Sequence, residues 1–376
     1  MITQATVIAD STNHTDPRLD YGRWLRIPGP TPLPPAVREA LGREMLPHRA
    51  GELLDVIKRV ASNLKGFHGT EQPVFFWPGT GSAGWEIALV NTLSPGDQVV
   101  CTVGGAFGAR WAEVAENLGL RVERVSVEWG QIVTPELLSD AFDRVGNVKA
   151  ALITHNETST GVTNPLPELA EVARRAGAFV LVDAVSSAGA LPIEFDAWGI
   201  DWLVSGTQKA WMCPPGLSIG AVSERALAAA DHAGYPRFFW DVRSNAAALK
   251  NGTTPSTAPE SSLFALDAAL QMMVDEGVNE VWARHARLGD LVRSGLTKLG
   301  LPLLADPEHA SDTITAFFPP DAGSSGEFKN RIAQQSGVEL AVGQGPLADK
   351  VLRFGHMGWV ESPELEATLE AIGAAI

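Results

Sequence analysis

The sequence predicts an α/β protein, with an open, mostly parallel central sheet carrying helices on both faces and a smaller C-terminal α+β domain. Three observations predict it. Short apolar, β-branched runs alternate with helical stretches between residues 73 and 222. After about residue 262 that alternation gives way to two consecutive helical patterns, shorter strand candidates and a closing helix. The composition, 45% hydrophobic and 19% charged over 376 residues, is that of a compact chain with a large core.

Residues 1–20 are polar, contain Pro17, and read as an arm that could wrap a neighbour. Beyond Pro28-Gly29-Pro30-Thr31-Pro32, a helical pattern starts near Pro34 and runs with interruptions to Gly66. Pro73–Trp77 is a short strand candidate, followed by the turn Pro78-Gly79-Thr80-Gly81 and a helix through Leu93. Further strands are expected at Asp97–Val103, Arg121–Val127, Lys149–Thr154, Phe179–Val182, Trp202–Ser205 and Leu217–Val222. Helices such as Phe107–Leu118 and Leu166–Ala176 separate most of them. Ser262–Glu276 and Asn279–Leu299 form the helix pair, and Thr313–Phe318 and Val351–Phe354 are the later strands. In the closing helix, from about Pro363, Leu365, Leu369 and Ile372 share one face. The expected division is an arm over 1–20, a large domain over 21–275 and a small domain over 276–376.

The 44 acidic and 29 basic residues give a net charge of -15, which argues against nucleic acid as a partner. Two cysteines, Cys101 and Cys213, cannot build a disulfide framework or a zinc site, so no metal is expected. No run reaches the ~18–20 apolar residues of a membrane span, and the start lacks a secretory pattern. A cytoplasmic protein is the expectation.

Four stretches carry chemistry. In Ser205-Gly206-Thr207-Gln208-Lys209-Ala210 a strand ends in small polar residues and a lysine follows. Such an amine is placed to lose water and form a Schiff base, though a surface lysine in a loop has the same local sequence. In Phe179-Val180-Leu181-Val182-Asp183 a buried strand runs into a carboxylate, which needs a partner. A protonated pyridine nitrogen would serve, and so would a capping role at the strand end. Gly79-Thr80-Gly81-Ser82-Ala83-Gly84 joins a strand to a helix. Its glycines and the helix N-terminus suit an anion, or simply a tight turn. Arg353, among apolar neighbours on a predicted strand, calls for a carboxylate, from substrate or from a salt bridge. Phe107 could stack on a ring or pack in the core, and His356 reads as structural.

In order and spacing these motifs resemble the class V aminotransferases, pyridoxal-phosphate (PLP) enzymes of fold type I, and within them the alanine-glyoxylate and serine-glyoxylate group. The resemblance covers nearly the whole chain after the first ~20 residues. It rests on Pro28-Gly29-Pro30-Thr31, Thr80-Gly81-Ser82 with Trp85-Glu86, Thr154 to Val162, Val182 to Ser187, Gly206 to Lys209 and Val351 to His356.

The resemblance implies that Lys209 holds the cofactor pyridoxal 5'-phosphate and moves a proton at the substrate Cα. Asp183 would pair with the pyridine nitrogen, Phe107 and Val185 would flank the ring, and Thr158 would hydrogen-bond its phenolic oxygen. Thr80, Gly81, Ser82 and Gln208 would form the phosphate site, with Thr257 reaching in from the partner of a homodimer with shared active sites. Arg353, helped by the backbone near Gly29, would hold the substrate carboxylate.

The alanine-glyoxylate branch usually has His at the place of Ser82 and Trp at that of Phe107. The serine-glyoxylate branch matches this chain better there, and shares the Trp85-Glu86 and Glu128-Trp129-Gly130 neighbourhoods. Thr254 stands where the family commonly has an aromatic residue. The implied reaction is transamination from serine or alanine to glyoxylate or pyruvate. A PLP-dependent lyase or desulfurase and a non-catalytic protein on the same fold are the competing readings.

Overall fold

The computed structural model describes residues 24–49, 51–320 and 323–376; the arm expected over residues 1–20 lies outside them. In chain order the elements begin with β1 (Trp24–Leu25), α1 (Pro35–Leu41), α2 (Glu52–His68), β2 (Val74–Gly79), α3 (Gly81–Thr92), β3 (Gln98–Val103), α4 (Ala106–Asn117) and β4 (Arg121–Ser126). They continue with α5 (Pro135–Val145), β5 (Ala150–Thr154), β6 (Asn156–Glu157), β7 (Val162–Thr163), α6 (Leu166–Arg175), β8 (Phe179–Asp183), α7 (Phe195–Trp198), β9 (Trp202–Gly206) and β10 (Gly216–Val222). After α8 (Glu224–Ala229), α9 (Val242–Leu249), α10 (Glu260–Glu276) and α11 (Val278–Lys298) come β11 (Ile314–Phe317), α12 (Ser325–Ser336), β12 (Val338–Glu339), β13 (Ala341–Val342), β14 (Leu352–Gly355) and α13 (Ser362–Ala374).

Among the described residues the large sheet has seven strands, in the order β2-β10-β9-β8-β5-β3-β4. Only β10 is reversed, lying antiparallel to both β2 and β9, while the other neighbours run parallel. The expected mostly parallel sheet is therefore present. Its inner strands are buried on both faces, as their unbroken apolar sequences require. Successive residues go to opposite sides: Ala151 and Ile153 join one core with α2, α5, α6 and α10. Ala150 and Leu152 join the other, with α3 and α4. Strand ends β2, β5, β8 and β9 thus meet along one edge, the usual ligand edge of such sheets.

The C-terminal α+β domain is built on the antiparallel sheet β11-β14-β13. Leu288, Val292, Phe328, Leu365 and Ile372, from α11, α12 and α13, pack in its core. Not anticipated from the sequence was the pairing of β1 with β12, Trp24 opposite Val338. A two-residue strand carries no periodicity to read. Its consequence is large: residues 26–31 cross from the small sheet to the lysine loop. The Gly355 N–H donates to the Arg26 carbonyl at 2.8 Å. A Cβ on Gly355 would sit 2.2 Å from the Ile27 oxygen, so only glycine permits the crossing.

Candidate active site

Lys209 follows β9, whose five residues are all buried, and is itself only 8% exposed. The surface-loop alternative is overturned. Its Nζ donates to the Pro28 carbonyl at 2.5 Å. Thr31 Oγ1 donates to the Lys209 carbonyl at 2.8 Å, so the crossing segment clasps the lysine from both ends. At Gly29, with φ +121°, a Cβ would lie 2.9 Å from Nζ. Burial pushes the amine down to about 8, and the Arg353 charge adds to this, while Asp183 acts the other way.

Asp183 ends β8, paired with Thr154 of β5 and Val204 of β9. It is 4% exposed. Oδ1 accepts from the Val185 N–H at 2.9 Å, so the capping role is real. One such bond does not compensate for burial, which pushes the carboxyl up to about 7. The charge of Glu157 pushes the same way, whereas the Val185 N–H, Trp85 and Lys209 oppose it. Asp183 and Lys209 therefore stand close enough to feel each other's charge across the ends of adjacent strands.

The N-terminus of α3 faces this pair. Gly81 abuts Val185, where a Cβ would come within 2.3 Å of a valine methyl. A Cβ on Gly206 would lie 3.1 Å from both the Gly81 nitrogen and Gln208 Oε1. Thr80 and Ser82 are exposed beside it, and Thr80 makes no side-chain cap bond. Gln208 Oε1 is buried without a hydrogen-bond partner. The free N–H groups of this helix N-terminus suit a phosphate, and Gln208 can meet one only through its Nε2, because Oε1, like the phosphate oxygens, accepts.

Arg353, on β14, donates from Nε to the Val342 carbonyl at 3.0 Å and from Nη1 to the Thr158 carbonyl at 3.2 Å. Among the described residues its Nη2 makes no hydrogen bond. Burial pushes the guanidinium down to about 10, and Glu157 acts the other way. Phe107, in the first turn of α4, and Val185 are both half-buried and pack on the same core. Thr257 is exposed in a hollow with Pro78, Phe239 and Thr254. It makes no hydrogen bond to the other candidate residues among those described.

Sequence reading gave Glu157 no role. It is 1% exposed and accepts from the N–H groups of Phe107, Gly108 and Ser159 and from Ser159 Oγ. The signal was present: α4 follows Gly104-Gly105 and so has no cap of its own. A Cβ on Gly105 would lie 2.5 Å from Glu157 Cδ. His356 is structural, bonded to Thr315 Oγ1 and the Asp312 carbonyl. Cys101 and Cys213 are buried, and burial pushes both thiols up. Among the described residues no group of three or more His, Cys, Asp or Glu is placed to hold a metal.

An amine, a carboxylate and a helix-terminal cradle at one sheet edge fit PLP, and the family comparison agrees: the Aminotransferase class-V model matches residues 24–352. The chain belongs to the class-V aminotransferase family. Among curated relatives of this class-V aminotransferase, the "Soluble hydrogenase, small subunit" of Synechococcus sp. is 37% identical, covering 94% of this chain and 92% of that protein. The L-aspartate–glyoxylate aminotransferase of Paracoccus denitrificans is 35% identical, covering 88% and 85%. The crystal structure of alanine–glyoxylate aminotransferase from Nostoc sp. matches with a TM-score of 0.89 and 30% identity over 94% and 95% of the chains. Family membership implies a PLP-binding enzyme of fold type I whose reaction is transamination. No helix among the described residues is long and apolar enough to cross a membrane.

Proposed function

We propose that this class-V aminotransferase transfers the amino group of serine or alanine to glyoxylate or pyruvate, with serine preferred as donor. The observation that carries the reading is the buried amine of Lys209, which feels the charges of both Asp183 and Arg353. Arg26, Lys209 and Arg353 are the buried basic side chains among the described residues, and Arg26 is paired with Glu364. One guanidinium at the site matches one α-carboxylate, which favours a donor without a second acid group. Ser82 and Phe107 favour serine, as the resemblance implies.

When bound, PLP supplies an electron sink for the bond to the substrate Cα. Lys209 would hold it through its amine and would then move the Cα proton, a task suited to an amine lowered towards neutrality. Asp183, as the carboxylate, keeps the pyridine nitrogen protonated. Thr80, Gly81, Ser82 and Gln208 would hold the phosphate, Phe107 and Val185 would bracket the ring, and Thr158 would face its phenolic oxygen. Arg353 grips the substrate carboxylate, with the backbone at Gly29 beside it. Thr257, exposed and not hydrogen-bonded to the other candidate residues described, is assigned to the partner's site in a cytoplasmic homodimer.

The desulfurase alternative needs a reactive thiol, and both cysteines are buried with their thiols pushed up. Absorption spectra test the reading. Serine should bleach the visible band of the PLP-loaded protein, and glyoxylate should restore it. Sulfide release, or pyruvate release without an acceptor, would overturn it.

A further inference from the structure

Three residues beyond Asp183, Ser186, which the reaction above does not use, lies in a buried chain of hydroxyls. Thr158 Oγ1 is 2.8 Å from Ser186 Oγ. Ser186 Oγ is in turn 2.8 Å from the Asn156 carbonyl. We propose that Ser186 is a positioning residue that accepts the hydrogen bond of the Thr158 hydroxyl, so that Thr158 meets the cofactor's phenolic oxygen with a lone pair.

The proton directions follow from the acceptors. A carbonyl can only accept, so Ser186 spends its one proton on Asn156. Thr313 Oγ1, 3.0 Å from the Ser186 carbonyl, likewise spends its own there. The Asn156 amide must then point its Nδ2 at Ser186 Oγ (2.9 Å) and Thr313 Oγ1 (3.0 Å), since neither oxygen has a proton left to give. Its Oδ1 accepts from Thr163 Oγ1 at 2.8 Å, which agrees. Between Thr158 and Ser186 only Thr158 can donate. Its proton is committed before any ligand arrives.

Thr158 is tied to the site from its other end as well, because its carbonyl accepts from Arg353 Nη1 at 3.2 Å. Ser311 Oγ adds a further bond to Thr313, so the small domain closes the far end of the chain. The proposal rests on the placement of Thr158 beside the phenolic oxygen given above. A lone pair facing that oxygen disfavours its ionised form; a donated proton would favour it.

The test is the pH titration of the visible absorption band of the PLP-loaded protein. Ser186→Ala frees the Thr158 proton and should lower the midpoint by roughly half to one pH unit. Thr158→Val removes the intermediary, so adding Ser186→Ala to it should shift nothing further. Thr158→Ser keeps the hydroxyl and should titrate like the wild type. Should Ser186→Ala fail to fold, Ser186→Cys, a weaker acceptor, should give a smaller shift of the same sign. An unchanged midpoint in a normally loaded Ser186 variant overturns the proposal, and so does a shift that persists beside Thr158→Val. A wild type that takes up no PLP defeats the cofactor reading itself, and the proposal with it.

Discussion

Two buried carboxylates stand at the ends of neighbouring strands and are treated in opposite ways. Glu157, just beyond β5, accepts three backbone N–H groups and a serine hydroxyl. Asp183, at the end of β8, accepts one backbone N–H, from Val185, and its carboxyl is pushed up to about 7. The first is satisfied by the fold and holds α4 in place. The second is left short. A buried acid that the chain does not satisfy is where a ligand's charge is expected, which is why Asp183 reads as functional and Glu157 as architectural.

Substitutions can break or sharpen that contrast. The largest effect is expected at the amine. Lys209→Ala should abolish the visible band of the loaded protein and lower kcat by about 10³-fold or more, read by absorption and steady-state rates. The carboxylates should then separate by kind. Asp183→Asn should cost about 10²-fold in activity. It should also stabilise the cofactor-free protein at pH 8. The folded wild type keeps the Asp183 proton up to about pH 7, whereas the unfolded chain releases it near pH 4. Wild-type stability from this group is therefore highest below about pH 4 and is lost as pH rises towards 7, by on the order of 4 kcal/mol. The asparagine variant escapes that loss, which denaturant melts of the cofactor-free protein at pH 5 and pH 8 would show.

Glu157→Gln should do the reverse and destabilise the cofactor-free protein at pH 8, by about 3 kcal/mol, because one amide group would face N–H donors. If melts showed Glu157→Gln neutral, the contrast would fail. Arg353→Lys should raise KM for the amino donor roughly 10- to 100-fold with little change in the visible band, since lysine cannot reproduce the paired donors. With the amine at about 8, PLP uptake should quicken as pH rises and level off above that value, because the neutral amine is the nucleophile. A pH-independent stopped-flow rate would count against a buried amine there. The smallest effects belong to Cys101→Ala and Cys213→Ala, which should leave turnover within about twofold, as buried, protonated thiols are inert.

Much of this site was legible in the chain. Lys209, Asp183 and the Gly79–Gly84 turn each stand at a junction where an apolar run meets polar or glycine residues, and that break in pattern is local. Of the Glu157 cap only half was legible: Gly104-Gly105 leaves α4 without a cap of its own, but nothing in that segment names Glu157, some fifty residues later, as the group that supplies it. The same holds for the clasp of Pro28 and Thr31 on Lys209, across nearly the whole large sheet.

By itself the sequence determined the alternation of strands and helices, the parallel sheet that follows from it, and which residue types end its strands. Those depend on periodicity and on neighbours within a few positions. Only the tertiary structure decided which carboxylate is satisfied and which is not, and how far burial moves the amine. Hydrogen-bond partners and water exclusion come from segments brought together by folding, and no local pattern records them.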